Sequence, residues 1–131
     1  MKIGVFGGTF DPIHIGHIIS VLEVKIAFGL DRVIFIPARQ SPHKETKPTG
    51  NKKRTAMIQK AIAGYEGFIM DTFELDRAGK SFTYDTAKYL KDEYPDDELY
   101  FLMGTDQYES FDKWHKHEEL IEMMNFIVMM R

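Results

Sequence analysis

Two short runs near the N-terminus, Lys2 to Phe6 (KIGVF) and Arg32 to Ile36 (RVIFI), restrict the possible folds more than any other feature of this chain. Each is apolar and β-branched along its length with little alternation, the pattern of a strand covered on both faces. The interval between them has the length of a crossover helix, so the two strands are expected to pair in parallel. That interval reads two ways. Leu22 to Ile26 (LEVKI) alternates like a strand, whereas Ile15, Ile18, Leu22 and Ile26 recur at helical spacing. Helix is the better reading, because a further strand there would leave no room for a parallel crossover. Gly29 then supplies the helix stop.

The alternation continues downstream. Asn51 to Ala63 reads as a helix, with Ala56, Met57, Lys60 and Ala61 spanning its turns. Gly67 to Met70 reads as a short strand, and Ser81 to Tyr94 as a helix opened by Ser81 and ended by Pro95. Glu98 to Met103 is expected as a strand followed by a helical turn from Thr105, and Asn125 to Met130 as the last strand. The sum is an α/β fold, a Rossmann-like open parallel sheet with helices on both faces. Ligands of such sheets bind at the carboxyl ends of the strands, near the topological switch point. Those ends are Gly7-Gly8, Pro37-Ala38, Asp71, Gly104-Thr105 and Arg131.

With 131 residues the chain is expected to form one domain, 1–131. It has no cysteine, which removes disulfides and thiolate zinc sites. The start, MKIGVF, is too short an apolar run for a signal peptide, and no long apolar stretch could span a membrane, so a cytoplasmic location is expected. A net charge of −3 argues against a general nucleic-acid binder. Basic residues nevertheless concentrate locally: Arg39, Lys44, Lys47, Lys52, Lys53, Arg54 and Lys60 face a single acid, Glu45. This stretch is either a solvated loop and helix face or a local field for a small phosphorylated ligand. Nothing in the sequence decides whether the chain forms a homo-oligomer.

The first strand runs into GGTFDPIHIGH, residues 7 to 17. Gly7 and Gly8 permit a tight strand exit or the close approach of a phosphate. Pro12 sets the chain near a helix start, where free N–H groups and the positive dipole end favour anions. His14 and His17, spaced i and i+3, project from one side of that first turn. No third metal ligand is local, so a zinc site is not expected. The loop lacks the Gly-Lys-Ser/Thr of a Walker A motif, and its glycines do not fit the dinucleotide fingerprint. The residues describe a phosphate site with two histidines and do not by themselves name a reaction.

This loop resembles the nucleotidylyltransferase superfamily, whose motif is His-x-Gly-His at the start of the first helix. The full string is similar to that of the bacterial-type nicotinate mononucleotide adenylyltransferase family. FIPARQSPHK (35–44), SFTYDT (81–86, with Phe82 where the family has tyrosine), YFLMGTD (100–106) and Trp114-His115 resemble further family segments in the same order. The HIGH tetrapeptide also occurs in class I aminoacyl-tRNA synthetases, but their large tRNA-binding domains and lysine-rich second signature are absent here. A closer rival is phosphopantetheine adenylyltransferase, which shares fold and motif but lacks the Pro-His-Lys and Ser-x-Thr-x-Asp-Thr segments.

The resemblance implies an enzyme that joins ATP and nicotinate mononucleotide to give nicotinate adenine dinucleotide and pyrophosphate, with magnesium carried by ATP. It implies His14 and His17 as catalytic residues, and Gly7, Gly8, Thr9, Phe10, Gly16, Gly104 and Asp106 beside them in the ATP site. For the mononucleotide it implies Lys44 on the phosphate, with His43 and Arg39 near it, and Thr83, Asp85 and His115 as further contacts. Trp114 either stacks on the pyridine ring or packs in the core. Family members continue with an Ile-Ser-Ser-Thr-x-x-Arg segment that grips the ATP phosphates, so the domain reads as truncated after Arg131. That makes weakened ATP binding, or a non-catalytic nucleotide-binding domain, the remaining alternative.

Overall fold

Five strands lie side by side, all parallel, in the order β3-β2-β1-β4-β5. They are β1 (Lys2–Gly8), β2 (Arg32–Pro37), β3 (Phe68–Met70), β4 (Glu98–Gly104) and β5 (Asn125–Met129). The computed structural model describes residues 1–8, 10, 12–38, 50–77 and 82–129. Among the described residues six helices intervene: α1 (Ile15–Phe28), α2 (Asn51–Ile62), α3 (Phe73–Asp76), α4 (Thr83–Glu93), α5 (Thr105–Glu109) and α6 (His117–Met123), with a 3-10 turn at Phe111–Lys113. This is the expected Rossmann-like architecture.

Apolar runs on β1, β2 and β4 follow from burial on both faces. Phe6, Val33, Phe35 and Leu102 pack with Ile18 and Val21 of α1 and Ile58 and Ile62 of α2. Their strand neighbours Val5, Ile34, Ile36, Phe101 and Met103 pack on the other face with Ala87 and Leu90 of α4 and Leu120 of α6. Side chains alternate across a strand, so two covered faces require apolar residues at nearly every position.

The chain moves from β1 outward to β2 and β3, then crosses back to β4 on the opposite side of β1. The β1–β4 boundary is therefore the topological switch point, and the crevice at its carboxyl end is where such a sheet receives a ligand. α1 begins just beyond β1, and α5 follows β4 directly.

The expected helices are present, and the structure adds which side chains each one buries. α1 is a helix ended by Gly29 in the left-handed conformation (φ 64°), but its inward residues are Ile18 and Val21, while Ile15 and Ile26 are exposed. On α2 the inward face is Arg54, Ile58 and Ile62, whereas Ala56, Met57 and Lys60 face outward. α4 starts at Thr83; Ser81, its expected opener, lies outside the described residues. α3, the 3-10 turn and α6 were not expected at all.

Candidate active site

Phe6, Gly7 and Gly8 bring β1 to the carboxyl edge of the sheet, where the Gly8 carbonyl accepts from the Ala38 amide at 2.7 Å. A Cβ on Gly8 would come within 3.2 Å of the Phe10 ring, so the glycine makes room for that ring. Phe10 itself has φ 50°, a left-handed conformation unusual for a bulky residue. Its ring is only 5% exposed and sits among Phe6 (5.4 Å between centroids), Phe35 (6.2 Å) and His17 (5.8 Å, edge-on). Phe10 is thus a core residue, and its ring is not open to a nucleotide.

His14 occupies the N-cap of α1 in an extended conformation, and His17 is the third residue of the helix. The His14 amide donates to Nδ1 of His17 at 3.1 Å, and the His17 amide donates to the His14 carbonyl at 2.9 Å. His17 therefore occupies the place that Glu or Gln takes in a capping box. The two rings lie 4.3 Å apart, with His14 exposed and His17 half-buried. Because Nδ1 of His17 accepts, its proton sits on Nε2. The amides of Ile15 and Gly16 have no hydrogen-bond partner among the described residues, as the first helical positions usually do not. A Cβ on Gly16 would meet nothing within 4 Å. The helix start thus presents amides and two rings to open space.

The neighbouring junction repeats the device. The Gly104 amide at the end of β4 donates to Oε1 of Gln107 at 3.0 Å. Gly104, Thr105, Asp106 and Gln107 line an open cavity of about 470 Å³, and a Cβ on Gly104 would meet nothing within 4 Å. Asp106 is exposed there. Thr105 and Gln107 were not foreseen, although Gly-x-x-Gln at a strand-to-helix junction is a readable capping pattern.

A second cavity, about 260 Å³, is lined by Phe82, Thr83, Lys113, Trp114 and His115. The sequence brings Thr83, Trp114 and His115 together as expected; Phe82 and Lys113 are additions. The His115 ring lies 4.5 Å from that of Phe82. Trp114 packs edge-on against Phe101 (5.9 Å) and Phe111 (5.1 Å), which is its core reading, and it also lines the cavity. The start of α4 follows β3, and Trp114–His115 follows β4 and precedes α6, so this groove and the α1 start lie on the carboxyl edge of the sheet.

Asp85 is not among the groove's lining residues; its carboxylate lies 3.5 Å from Arg77. Arg54, expected either on a solvated face or in a local field for a phosphorylated ligand, is instead fully buried, donating to the Ala38 carbonyl (2.7 Å) and Asn51 Oδ1 (2.8 Å). Its fork ties α2 to the end of β2. Lys52, Lys53 and Lys60 are exposed. Thr9, Arg39, His43 and Lys44 lie outside the described residues. Among the described residues no group of three or more His, Asp or Glu is placed to hold a metal ion, and no helix is long and apolar enough to cross a membrane.

The model of the cytidylyltransferase-like family matches residues 5–131, which takes in every feature just described. The chain belongs to that family. Within it, a protein of Oceanobacillus iheyensis named as a probable nicotinate-nucleotide adenylyltransferase is 48% identical over 126 residues, covering 96% of this chain and 66% of that protein. The nicotinate-nucleotide adenylyltransferase of Bacillus subtilis is 42% identical over 127 residues, covering 96% and 67%. Across the curated relatives the chain spans from 59% to 69% of their length. Among solved structures, the nicotinic acid mononucleotide adenylyltransferase of Plasmodium falciparum, complexed with NaAD, superposes with a TM-score of 0.86 at 23% identity, covering 99% of this chain and 64% of that one. At that identity the structural likeness speaks for the shared fold, which agrees with the cytidylyltransferase-like architecture.

Proposed function

We propose that this domain joins ATP and nicotinate mononucleotide, giving nicotinate adenine dinucleotide and pyrophosphate, as a cytoplasmic enzyme of NAD synthesis. The observation that supports it most is the start of α1, where His14, His17 and the amides of Ile15 and Gly16 converge on open space beside the switch point. The names of relatives at 42% to 48% identity direct the choice of substrates.

In the proposed reaction a phosphate oxygen of the mononucleotide bonds to the α-phosphorus of ATP, and the α–β bridging bond breaks to release pyrophosphate. The nucleophile is already ionised at neutral pH, so the protein's work is alignment and charge stabilisation. Nε2–H of His17, the His14 ring and the helix amides donate to the α-phosphoryl group and the departing pyrophosphate. Magnesium belongs to the substrate, MgATP. Gly104 and Asp106 take the adenosine side. Trp114, Thr83 and His115 receive the pyridine carboxylate end in the 260 Å³ groove. Lys44, with His43 and Arg39, is assigned the mononucleotide phosphate.

The test is pyrophosphate release from MgATP with a panel of acceptors. Release with nicotinate mononucleotide is expected; release with phosphopantetheine alone would reassign the enzyme to the rival chemistry.

A further inference from the structure

α3 and α4 are joined by a set of polar and aromatic side-chain contacts, made by residues other than those that line the groove. The Thr86 hydroxyl, on a residue 2% exposed, donates to Oε2 of Glu74 at 2.8 Å. Arg77 lies 3.5 Å from Asp85 and 5.3 Å from the centre of the Phe73 ring. Phe73 in turn stacks on Tyr89, 4.0 Å apart and 7° from parallel. The Tyr89 hydroxyl donates to Asp71 Oδ2 at 2.9 Å, and the Phe73 amide donates to Oδ1 of the same carboxylate. Burial together with the Asp71 bond pushes the Tyr89 phenol up to about 12, so it remains a donor across neutral pH.

These contacts all reach α4 on one side of its first two turns, at Asp85, Thr86 and Tyr89. The same N-terminal end carries Phe82, one turn before Thr86, and Thr83, and both line the groove with Trp114 and His115. Where α4 begins, relative to the end of β3, is therefore set by α3.

We propose that Glu74, Arg77, Asp85 and Thr86 are positioning residues that hold the α4 wall of the groove at the separation a pyridine mononucleotide requires. This rests on the proposed placement of the mononucleotide, and it assigns Asp85 to the wall's support instead of to direct contact.

Trp114 is the single tryptophan of the chain, so its fluorescence reports the groove without a label. The experiment measures acrylamide quenching of Trp114, then titrates nicotinate mononucleotide and MgATP, for wild type, Thr86→Val, Thr86→Ser, Glu74→Gln and Arg77→Met. Losing a hydrogen bond to a charged group weakens an arrangement by on the order of tenfold. Thr86→Val should therefore loosen mononucleotide binding by roughly that factor and raise quenching by roughly twofold, leaving MgATP affinity unchanged. Thr86→Ser and Glu74→Gln keep a donor and an acceptor and should match wild type in both readouts. Arg77→Met removes the half-exposed pair with Asp85 and the cation over Phe73, keeps the test readable should Thr86→Val fail to fold, and should shift both readouts in the same direction. Quenching equal to wild type in Thr86→Val and Arg77→Met would overturn the positioning role. Altered quenching without any mononucleotide binding by wild type would instead retain the positioning role and remove the ligand assignment.

Discussion

The main-chain amide of His14 is bound to Nδ1 of His17, so one histidine of the motif caps the helix on which both stand. The ring's hydrogen bond fixes which nitrogen carries the proton, and the structural and chemical duties of His17 can be separated by substitution. His17→Gln retains an acceptor for the His14 amide and should melt like wild type, while turnover falls on the order of a hundredfold. His17→Ala loses the acceptor as well and should cost about 1 kcal/mol of stability. Thermal melts paired with pyrophosphate assays check both; equal melting losses in the two variants would remove the capping role.

Phe10 holds a left-handed backbone only because its ring is packed among Phe6, Phe35 and His17. Phe10→Ala should destabilise the chain by about 3–5 kcal/mol, the usual cost of emptying an aromatic core site. Urea unfolding measures it. A loss below about 1 kcal/mol would mean the ring is not part of the core.

Arg54 is legible as a charge but not as a buried one. Arg54→Lys preserves the charge yet cannot reproduce a fork that meets Ala38 and Asn51 together. It should lower stability by roughly 2 kcal/mol in urea unfolding; a neutral outcome would show that lysine reaches both partners.

Glu74 is held above its ordinary value of 4.5, first by burial, against the opposing effects of Thr86 and Arg77. Between 4.5 and that elevated folded value the folded chain binds more protons than the unfolded one, so stability falls as pH rises through the window. Glu74→Gln never ionises. It should melt higher than wild type at neutral pH, and the gap should close as pH falls toward 4.5. A gap that widens on acidification would contradict the sign.

The parallel sheet was readable because β1, β2 and β4 are covered on both faces and therefore apolar almost throughout. The α1 site was readable because a glycine-rich strand exit, a proline and two histidines at i and i+3 fall within eleven residues. The helical period of α1 was readable from Ile15, Ile18, Leu22 and Ile26, but not which of them is buried, since Ile15 at the helix start and Ile26 near its far end are apolar yet exposed. α6 went unread because HEELIEM has one buried apolar residue, Leu120, to mark a period. The Glu74–Thr86 bond joins residues on separate helices, and nothing local in either segment announces it.

Gly16 offers the most direct test of the claim that the start of α1 receives the triphosphate. Among the described residues, no atom beyond its chain neighbours and its own helix backbone lies within 4 Å of a methyl group there, and alanine favours a helix by about 0.5–1 kcal/mol over glycine. Gly16→Ala should therefore melt at or above the wild-type temperature while acceptor-dependent pyrophosphate release falls by roughly tenfold or more, because only a ligand occupies the space the methyl enters. Unchanged release in a normally folded Gly16→Ala chain would contradict the account.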